Sequence, residues 1–190
     1  MSDSVGITRE EALALLKEHW KTENLVKHCL ASEAIMRGLA GRLGKDEEMW
    51  GIAGLLHDLD FEETKEAPSE HALKTAQILK ERGVCDEVIE VIKAHNAEGL
   101  GLERRSDFDH ALAAAETVTG LIVATALVYP DKKLASVKVR SITKRMKKKD
   151  FARAVNREII MECEQIGLSL DEFVGISLKA MQGIHEALGL

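Results

Sequence analysis

Aromatic residues are scarce in this chain. They make up 4% of its 190 residues, whereas 45% of the residues are hydrophobic, mostly Ala, Leu, Ile and Val. Only two prolines, Pro68 and Pro130, interrupt the sequence, and no low-complexity linker divides it. An aliphatic composition with few helix breakers favours packed helices. We therefore expect an all-α fold in a chain long enough to bury a substantial core.

Cysteines are also few. Cys29, Cys85 and Cys163 are odd in number, lie far apart and show no CxxC spacing. This pattern argues against a disulfide framework and against a cysteine zinc site, and it fits a reducing compartment. The N-terminus lacks the basic start and apolar stretch of a signal peptide. We therefore predict a cytoplasmic location.

Long hydrophobic runs are missing as well. The longest apolar stretch, near residues 121–129, is shorter than the roughly 20 residues that a membrane-spanning helix needs. We therefore expect no membrane partner. The sequence leaves the oligomeric state open, including a homodimer.

Capping residues and apolar spacing predict a series of helices. Thr8 and Glu11 form a capping-box pattern, Asp46 suits an N-cap, and Gly44 suits a helix end. The predicted helices cover residues 8–20, 23–43, 46–58, 68–79, 86–96, 109–128, 156–167 and 169–184. We assign 8–130 to one domain and 131–190 to a C-terminal helical extension of the same globular unit.

Six side chains that can ligate a divalent metal lie at buried or terminal positions of five consecutive predicted helices. They are His28, His57, Asp58, His71, His95 and Glu116. The pair His57-Asp58 follows the apolar run 52–56, where an imidazole and a carboxylate cost free energy unless they pair or bind an ion. Each histidine alone is more often an ordinary hydrogen-bonded residue. The prediction of one metal centre therefore rests on the whole set.

His71 falls in the first turn of the predicted helix 68–79. The positive end of a helix disfavours an imidazolium, so we expect His71 to be neutral, the state that ligates metals. The remaining histidines, His19, His110 and His185, lack comparable surroundings and are interpreted as surface or structural residues.

The order of these residues resembles the HD superfamily of metal-dependent phosphohydrolases, particularly its small single-domain HDIG-type members. The segment 54–60, GLLHDLD, is similar to the signature segment of that family. The segment 69–79, SEHALKTAQIL, resembles the helix that follows it, and 113–122, AAAETVTGLI, resembles the final metal-binding helix. The resemblance extends over roughly residues 22–130.

The resemblance implies an HD-domain helical bundle, here with the C-terminal helices packed on it. It implies a metal held by His28, His57, Asp58 and a late acid, which is Glu116 in this chain. Residues placed like His71 and His95 bind a second metal or contact the substrate phosphate. The ligand types suit Mn, Fe, Ni, Co, Zn or Mg without selecting among them, as one ion or two.

Glu116 departs from the family, which generally has Asp at this position. The extra methylene moves the carboxylate by about one bond length, and a misplacement of about 1 Å can cost roughly 100-fold in rate. Glutamate can still ligate, so metal binding is expected and turnover is the more sensitive property. Asp109, two turns earlier, is a less favoured substitute.

A metal centre of this kind predicts hydrolysis of a phosphate ester by a metal-activated water, because a bound ion lowers the pKa of its water towards ~7. The expected substrate is a nucleotide or another small phosphorylated metabolite, with monoesterase or diesterase activity undecided. Asp58 binds metal and orients the water, and Glu62, or else Asp60, supplies the general acid. One alternative is a non-catalytic HD domain that binds a metal or nucleotide for regulation. Another is an HD-type di-iron oxygenase, which requires both His71 and His95 as ligands.

Residues 132–157 carry eleven Lys or Arg and one acid, Asp150, which gives a local charge of +10. The other residues therefore sum to −16, because the whole chain carries −6. The segment fits a solvated helix face, or a cationic rim for a phosphorylated substrate with Lys144 and Arg145 as contacts. The lack of interleaved aromatics, with only Phe151 nearby, argues against nucleic acid as a partner.

Overall fold

The computed structural model of this chain describes residues 5–19 and 22–190, and these residues form helices and turns without a β-strand. The fold is all-α, as the sequence predicts. The helices are α1 (Arg9–His19), α2 (Glu23–Leu43), α3 (Glu47–Leu56), α4 (Phe61–Thr64), α5 (Leu73–Glu81), α6 (Asp86–His95), α7 (Ala97–Leu100), α8 (Asp107–Leu127), α9 (Val139–Met146), α10 (Arg157–Met161), α11 (Leu170–Gly183) and α12 (His185–Leu188). Short 3-10 turns cover Leu134–Ser136 and Glu162–Glu164.

The capping signals in the sequence mark real helix ends. Before α1, the Thr8 amide donates to the Glu11 carboxylate at 2.8 Å, and the Glu11 amide donates back to the Thr8 hydroxyl at 3.2 Å. The carboxylate of Asp46 accepts from the Met49 amide at 2.9 Å at the start of α3. Gly44 closes α2 with φ 67°. The predicted end of the first helix at Trp20 lies outside the described residues.

The two 21-residue helices, α2 and α8, form the centre of the bundle. α2 packs against α3, α8 and α11, and α6 packs against α8, α3 and α5. Their contacts bury an aliphatic core, including Leu39, Ile52, Ile92 and Leu112. The core therefore follows the aliphatic composition of the chain.

The C-terminal helices pack on this bundle. α9, α10 and α11 contact α8, and α11 also contacts α2. Phe173 and Met181 on α11 have no exposed surface. The C-terminal helices thus complete the core, while the boundary between residues 130 and 131 stays a prediction.

Two predicted helices differ from the structure. The helix predicted over 68–79 begins only at Leu73, because residues 68–72 form turns and Ala72 adopts a left-handed φ of 72°. The helix predicted over 156–167 is split into α10 and a 3-10 turn, although Asn156 caps it as expected. The first difference changes the surroundings of His71.

α8 is long and apolar enough, by length and composition alone, to cross a membrane. In the structure, 61% of its most apolar window is buried inside the bundle. Core helices of soluble proteins meet the same criterion, so this finding is weak evidence for a membrane span. The cytoplasmic location stays a prediction.

Candidate metal centre

A close crossing of α2 and α3 brings His28 and His57 together. Gly54 makes this crossing possible, because a Cβ on it would lie 2.8 Å from the Ser32 carbonyl oxygen on α2. His57 follows α3 directly, and its Nε2 lies 3.1 Å from His28 Nε2. The helix contact thus sets the distance between the first two candidate ligands.

Asp58 joins these histidines in a first triad. Its Oδ2 lies 3.6 Å from His28 Nε2 and 3.7 Å from His57 Nε2. Ligand atoms bound to one ion at about 2.1 Å are separated by roughly 3.0–3.4 Å, so these spacings fit a metal position with little adjustment. Glu116 on α8 lies beside the triad, with its Oε2 3.9 Å from His28 Nε2.

The other carboxylate oxygen of Asp58 faces a second triad. Oδ1 of Asp58 lies 3.1 Å from His71 Nε2 and 3.5 Å from His95 Nε2. The two imidazole Nε2 atoms are 3.0 Å apart. Asp58 therefore presents one oxygen to each triad, so it could contribute a ligand to both.

Hydrogen bonds on the outer side of the rings orient the histidines. Nδ1 of His57 donates to the Gly54 carbonyl at 2.9 Å, and Nδ1 of His95 donates to the Ile92 carbonyl. Nδ1 of His28 lies 2.9 Å from the Thr119 hydroxyl. That hydroxyl donates its own proton to the Glu116 carbonyl at 2.6 Å, so it accepts from His28. All three rings thus turn an Nε2 lone pair toward the centre.

These lone pairs are the test of whether the residues fit a metal. With both Nδ1 atoms protonated, the Nε2 atoms of His28 and His57 present two lone pairs to each other at 3.1 Å. Such a contact is repulsive unless a metal ion, or a proton bound to one of the two nitrogens, lies between the two atoms. Outer hydrogen bonds of this kind are characteristic of metal-ligating histidines. The residues therefore fit a divalent ion.

His71 is oriented by Asp60 rather than by a helix end. Its Nδ1 lies 2.8 Å from Asp60 Oδ1, and it belongs to the turn before α5. Burial lowers the pKa of His71, but hydrogen bonds to Asp58 and Asp60 outweigh this and raise it to about 9. The expectation of a neutral His71 in a first helical turn is therefore wrong for the metal-free chain.

Asp60 is a buried anchor for the turn that carries His71. Its carboxylate also accepts from the amides of Ala72 at 3.2 Å and Thr75 at 3.0 Å. Burial raises the pKa of Asp60, but the hydrogen bonds from His71 and these amides outweigh it and lower the pKa. A carboxylate held ionised in this way does not fit the role of general acid. It instead fixes His71 for the second triad.

Burial and neighbouring side chains shift the pKa values of His57, Asp58 and Glu116. Burial lowers the pKa of His57 to about 3, which keeps the ring neutral. Burial also raises the pKa of Glu116. For Asp58, burial is outweighed by His57 and by hydrogen bonds to His71 and His95, so the pKa lies well below its usual range. The centre thus combines a neutral His57 with an ionised Asp58.

Two further residues hold the second triad and were not predicted from the sequence. Nδ2 of Asn96 donates to the carbonyls of Pro68 at 2.7 Å and His71 at 3.0 Å. The guanidinium of Arg104 donates to the His95 carbonyl at 2.7 Å and is almost fully buried. The sequence offers a signal for Asn96, because this residue directly follows the candidate ligand His95. It offers none for Arg104, because the contacts of Arg104 depend on the fold.

The other predicted site residues are not members of the two triads. Glu62 on α4 accepts a 2.7 Å hydrogen bond from the Thr22 hydroxyl. Lys144 and Arg145 line a groove between α9 and α11 that includes none of the six candidate ligands. Asp109 closes the capping box of α8, which rules it out as the late acid of the centre.

A cavity of about 430 Å³ opens beside His28. Thr119 and Lys27 contribute polar side chains to its wall, and Val123 and Leu127 contribute apolar ones. This volume lies within the range of small-molecule sites. The cavity is a candidate space for a small substrate.

The helical bundle and its cluster of four histidines around a shared aspartate define an all-helical domain with groups that could hold a metal ion. The family model of the HD domain matches residues 25–127, which is more than half of the chain. The chain therefore belongs to the HD domain family, as its motifs indicated.

Several relatives of known name match parts of the chain. Ribonuclease Y from Thermobifida fusca is 31% identical over 122 residues, covering 61% of this chain and 24% of the relative. Ribonuclease Y from Aliarcobacter butzleri is 38% identical over 74 residues, covering 39% of this chain and 14% of the relative. A tRNA (cytidine(56)-2'-O)-methyltransferase from Picrophilus torridus is 23% identical over 94 residues, covering 50% of this chain and 27% of the relative. The chain thus spans about a quarter or less of these relatives. No solved structure gives a significant match.

Proposed function

We propose that this chain is a metal-dependent phosphohydrolase that cleaves a phosphate ester of a nucleotide or another small phosphorylated metabolite. Members of the HD domain family are usually metal-dependent phosphohydrolases. The observation that carries the proposal is the pair of triads that share Asp58. Bound divalent ions supply a water of lowered pKa and stabilise the charge of the phosphoryl group.

In this proposal His28, His57, Asp58 and Glu116 hold the first ion. Asp58, His71 and His95 hold the second, or the two histidines contact the substrate phosphate. Asp58 also orients the attacking water, because each of its oxygens faces one triad. Preorganised ligands of this kind avoid reorganisation during the reaction.

Glu62 is the proposed general acid for the leaving oxygen. It lies four residues after Asp58, at the N-terminal end of the short α4. Asp60, the alternative, is tied to His71 and to two backbone amides. Glu62 therefore keeps this role, with its carboxylate accepting from Thr22 in the structure.

The names of the relatives extend the range of substrates to examine. Several are ribonucleases, so a phosphodiester of RNA belongs in the screen beside small metabolites. The chain covers only a small part of each of them, so their activity is a proposal for this chain.

The proposal is tested by screening phosphorylated metabolites and short oligoribonucleotides with manganese, cobalt or nickel added. We expect release of phosphate or of a cleaved product, and loss of this activity in Asp58→Ala with an unchanged helical circular dichroism spectrum. His185→Ala is the matched control, because His185 is exposed and lies outside both triads. Activity that persists in Asp58→Ala contradicts the mechanism. Inactivity with every metal favours the regulatory alternative.

The second triad also supports a di-iron oxygenase as a second candidate. That alternative requires His71 and His95 as ligands, and both lie within 3.5 Å of Asp58 Oδ1. Metal analysis and electron paramagnetic resonance separate the two functions. Two irons with a mixed-valence signal and no hydrolysis favour the oxygenase.

A further inference from the structure

Among the described residues, no carboxylate lies within ion-pairing distance of the basic side chains of segment 132–157. None of its eleven Lys and Arg residues makes an ion pair with residues 5–19 or 22–190, and nine of them are exposed. Arg145 and Arg157 donate only to backbone carbonyls, which leaves their charge uncompensated. Elsewhere, basic residues such as Arg9, Arg37 and Lys45 are paired with carboxylates. The segregated charge of the sequence is thus also unpaired in the structure.

The fold arranges part of this segment as a groove of about 840 Å³ between α9 and the first turn of α11. Ile142 and Met146 bury one face of α9 and leave the opposite face outward. Half of the ten lining residues are basic, namely Lys138, Arg140, Lys144, Arg145 and Lys147. The others include hydroxyl side chains, Leu170 and one acid, Asp171. The groove is therefore a cationic surface whose lining includes a single apolar side chain.

We propose that this groove binds the phosphate backbone of a single-stranded nucleic acid. Its cations and hydroxyls match the donors that contact phosphate and sugar. A peptide partner needs apolar pockets, and Leu170 is the single apolar residue in the lining. A mononucleotide would use few of the five groove cations, and Lys148, Lys149 and Arg153 add three exposed cations that follow them in the chain. A strand of several phosphates can contact more of these charges.

The scarcity of aromatic residues does not exclude nucleic-acid binding by this groove. It predicts that such binding lacks base stacking. Phe151 is the one aromatic side chain of the segment, and the Arg145 guanidinium lies over it at 5.1 Å. Without stacking platforms, binding rests on charge and is independent of base sequence. Five phosphate contacts predict a salt slope of about −3.5 for a single strand, so affinity falls ~100-fold between 50 and 200 mM salt.

The test uses the full chain and fluorescence anisotropy with labelled 12-nucleotide oligouridylate and oligothymidylate across a salt series. The variant Lys138→Ala/Arg140→Ala/Lys144→Ala removes three groove cations, so we expect at least ~10-fold weaker binding at 50 mM salt and a slope smaller by about 2. The matched control, Lys17→Ala/Lys80→Ala/Lys179→Ala, removes the same charge from exposed positions outside the segment. We expect the control to bind as the wild type does. Thermal unfolding checks that both variants are folded.

If both triple variants weaken oligonucleotide binding equally, the proposal is overturned, because the binding then depends on the net charge of the chain and not on the groove. Absence of oligonucleotide binding at 50 mM salt overturns it as well. Polyglutamate of equal charge that displaces the probe equally well points to an acidic protein partner instead. Asp58→Ala separates this inference from the proposed hydrolysis: we expect it to bind the probe normally, and loss of binding there assigns the probe to the metal centre.

Discussion

At the residue scale, the hydrogen bond at Nδ1 decides the role of each histidine in the centre. The sequence identifies the six candidate ligands by type and order, but it does not reveal these partners. Thr119 lies 91 residues from His28, and Asp60 lies 11 residues from His71. The fold brings such partners together, so ring orientation cannot be read from spacing. Spacing along the chain therefore suggests Asp60 as a general acid and does not reveal its contact with His71.

Asp60→Asn tests that orienting contact. The amide cannot act as an anionic acceptor for His71, and loss of such an outer partner typically weakens metal binding 10–100-fold. We expect the affinity for the second ion to fall by about this factor while the first ion binds normally, as measured by calorimetric titration with Mn²⁺. The exposed Asp150→Asn is the control. Unchanged affinity for both ions would show that Asp60 does not support the second triad.

Glu116 is tested by comparing Glu116→Gln with Glu116→Asp. Burial raises the pKa of Glu116, so an uncharged amide suits the position and the metal-free fold should survive. If the carboxylate ligates the first ion, Glu116→Gln lowers the affinity for that ion by at least ~10-fold, and Glu116→Asp retains binding. The same titration measures both variants. Wild-type affinity in Glu116→Gln would remove Glu116 from the ligand set.

At the scale of helices and turns, local sequence predicts most boundaries and fails where a distant side chain fixes the backbone. Caps such as Asp46 and Gly44 depend on neighbouring residues, and the corresponding helix ends are confirmed. The start of α5 depends on hydrogen bonds from the amides of Ala72 and Thr75 to Asp60. A tertiary contact therefore overrides the helix signal of Pro68-Ser69.

The crossing of α2 and α3 gives a prediction about stability and metal affinity together. Gly54→Ala forces a methyl group against the backbone of Ser32 and Glu33, at 2.8 and 2.9 Å. Overpacking of this kind costs about 1–3 kcal/mol, and it moves His57 relative to His28. We expect a lower unfolding temperature and weaker binding of the first ion.

Gly183→Ala is the matched control for that substitution. A Cβ on Gly183 at the end of α11 meets no atom within 4 Å. Because Ala favours a helix over Gly by up to ~1 kcal/mol, its unfolding temperature should stay the same or rise slightly. A similar loss of stability in both variants would mean that the α2–α3 contact is not the cause.

At the scale of the whole molecule, the candidate ligands tie distant parts of the chain together. They come from α2, the end of α3, the turn before α5, α6 and α8. The sequence predicts the all-α class and the central helices, because composition and periodicity are local properties. It does not predict how α9 and α11 form a groove, since that depends on packing between the helices.

Metal binding should therefore stabilise the entire domain. An ion that binds only the folded state at 100 times its Kd adds about 2.7 kcal/mol, which raises the unfolding temperature of a domain this size by roughly 5–10 °C. We expect this rise with added Mn²⁺ and its reversal by chelator, as measured by differential scanning calorimetry. Asp58→Ala should show no rise. A metal-independent unfolding temperature would contradict a centre that links these elements.

The most direct measurement is the number of divalent ions bound per chain, determined by elemental analysis after loading with Mn²⁺ and removal of free metal. If both triads hold metal, we expect two ions in the wild-type chain and one in His71→Ala. If the second triad contacts the substrate phosphate instead, we expect one ion in each. Both arrangements predict none in Asp58→Ala. An Asp58→Ala chain that retains the wild-type metal content would contradict the shared centre.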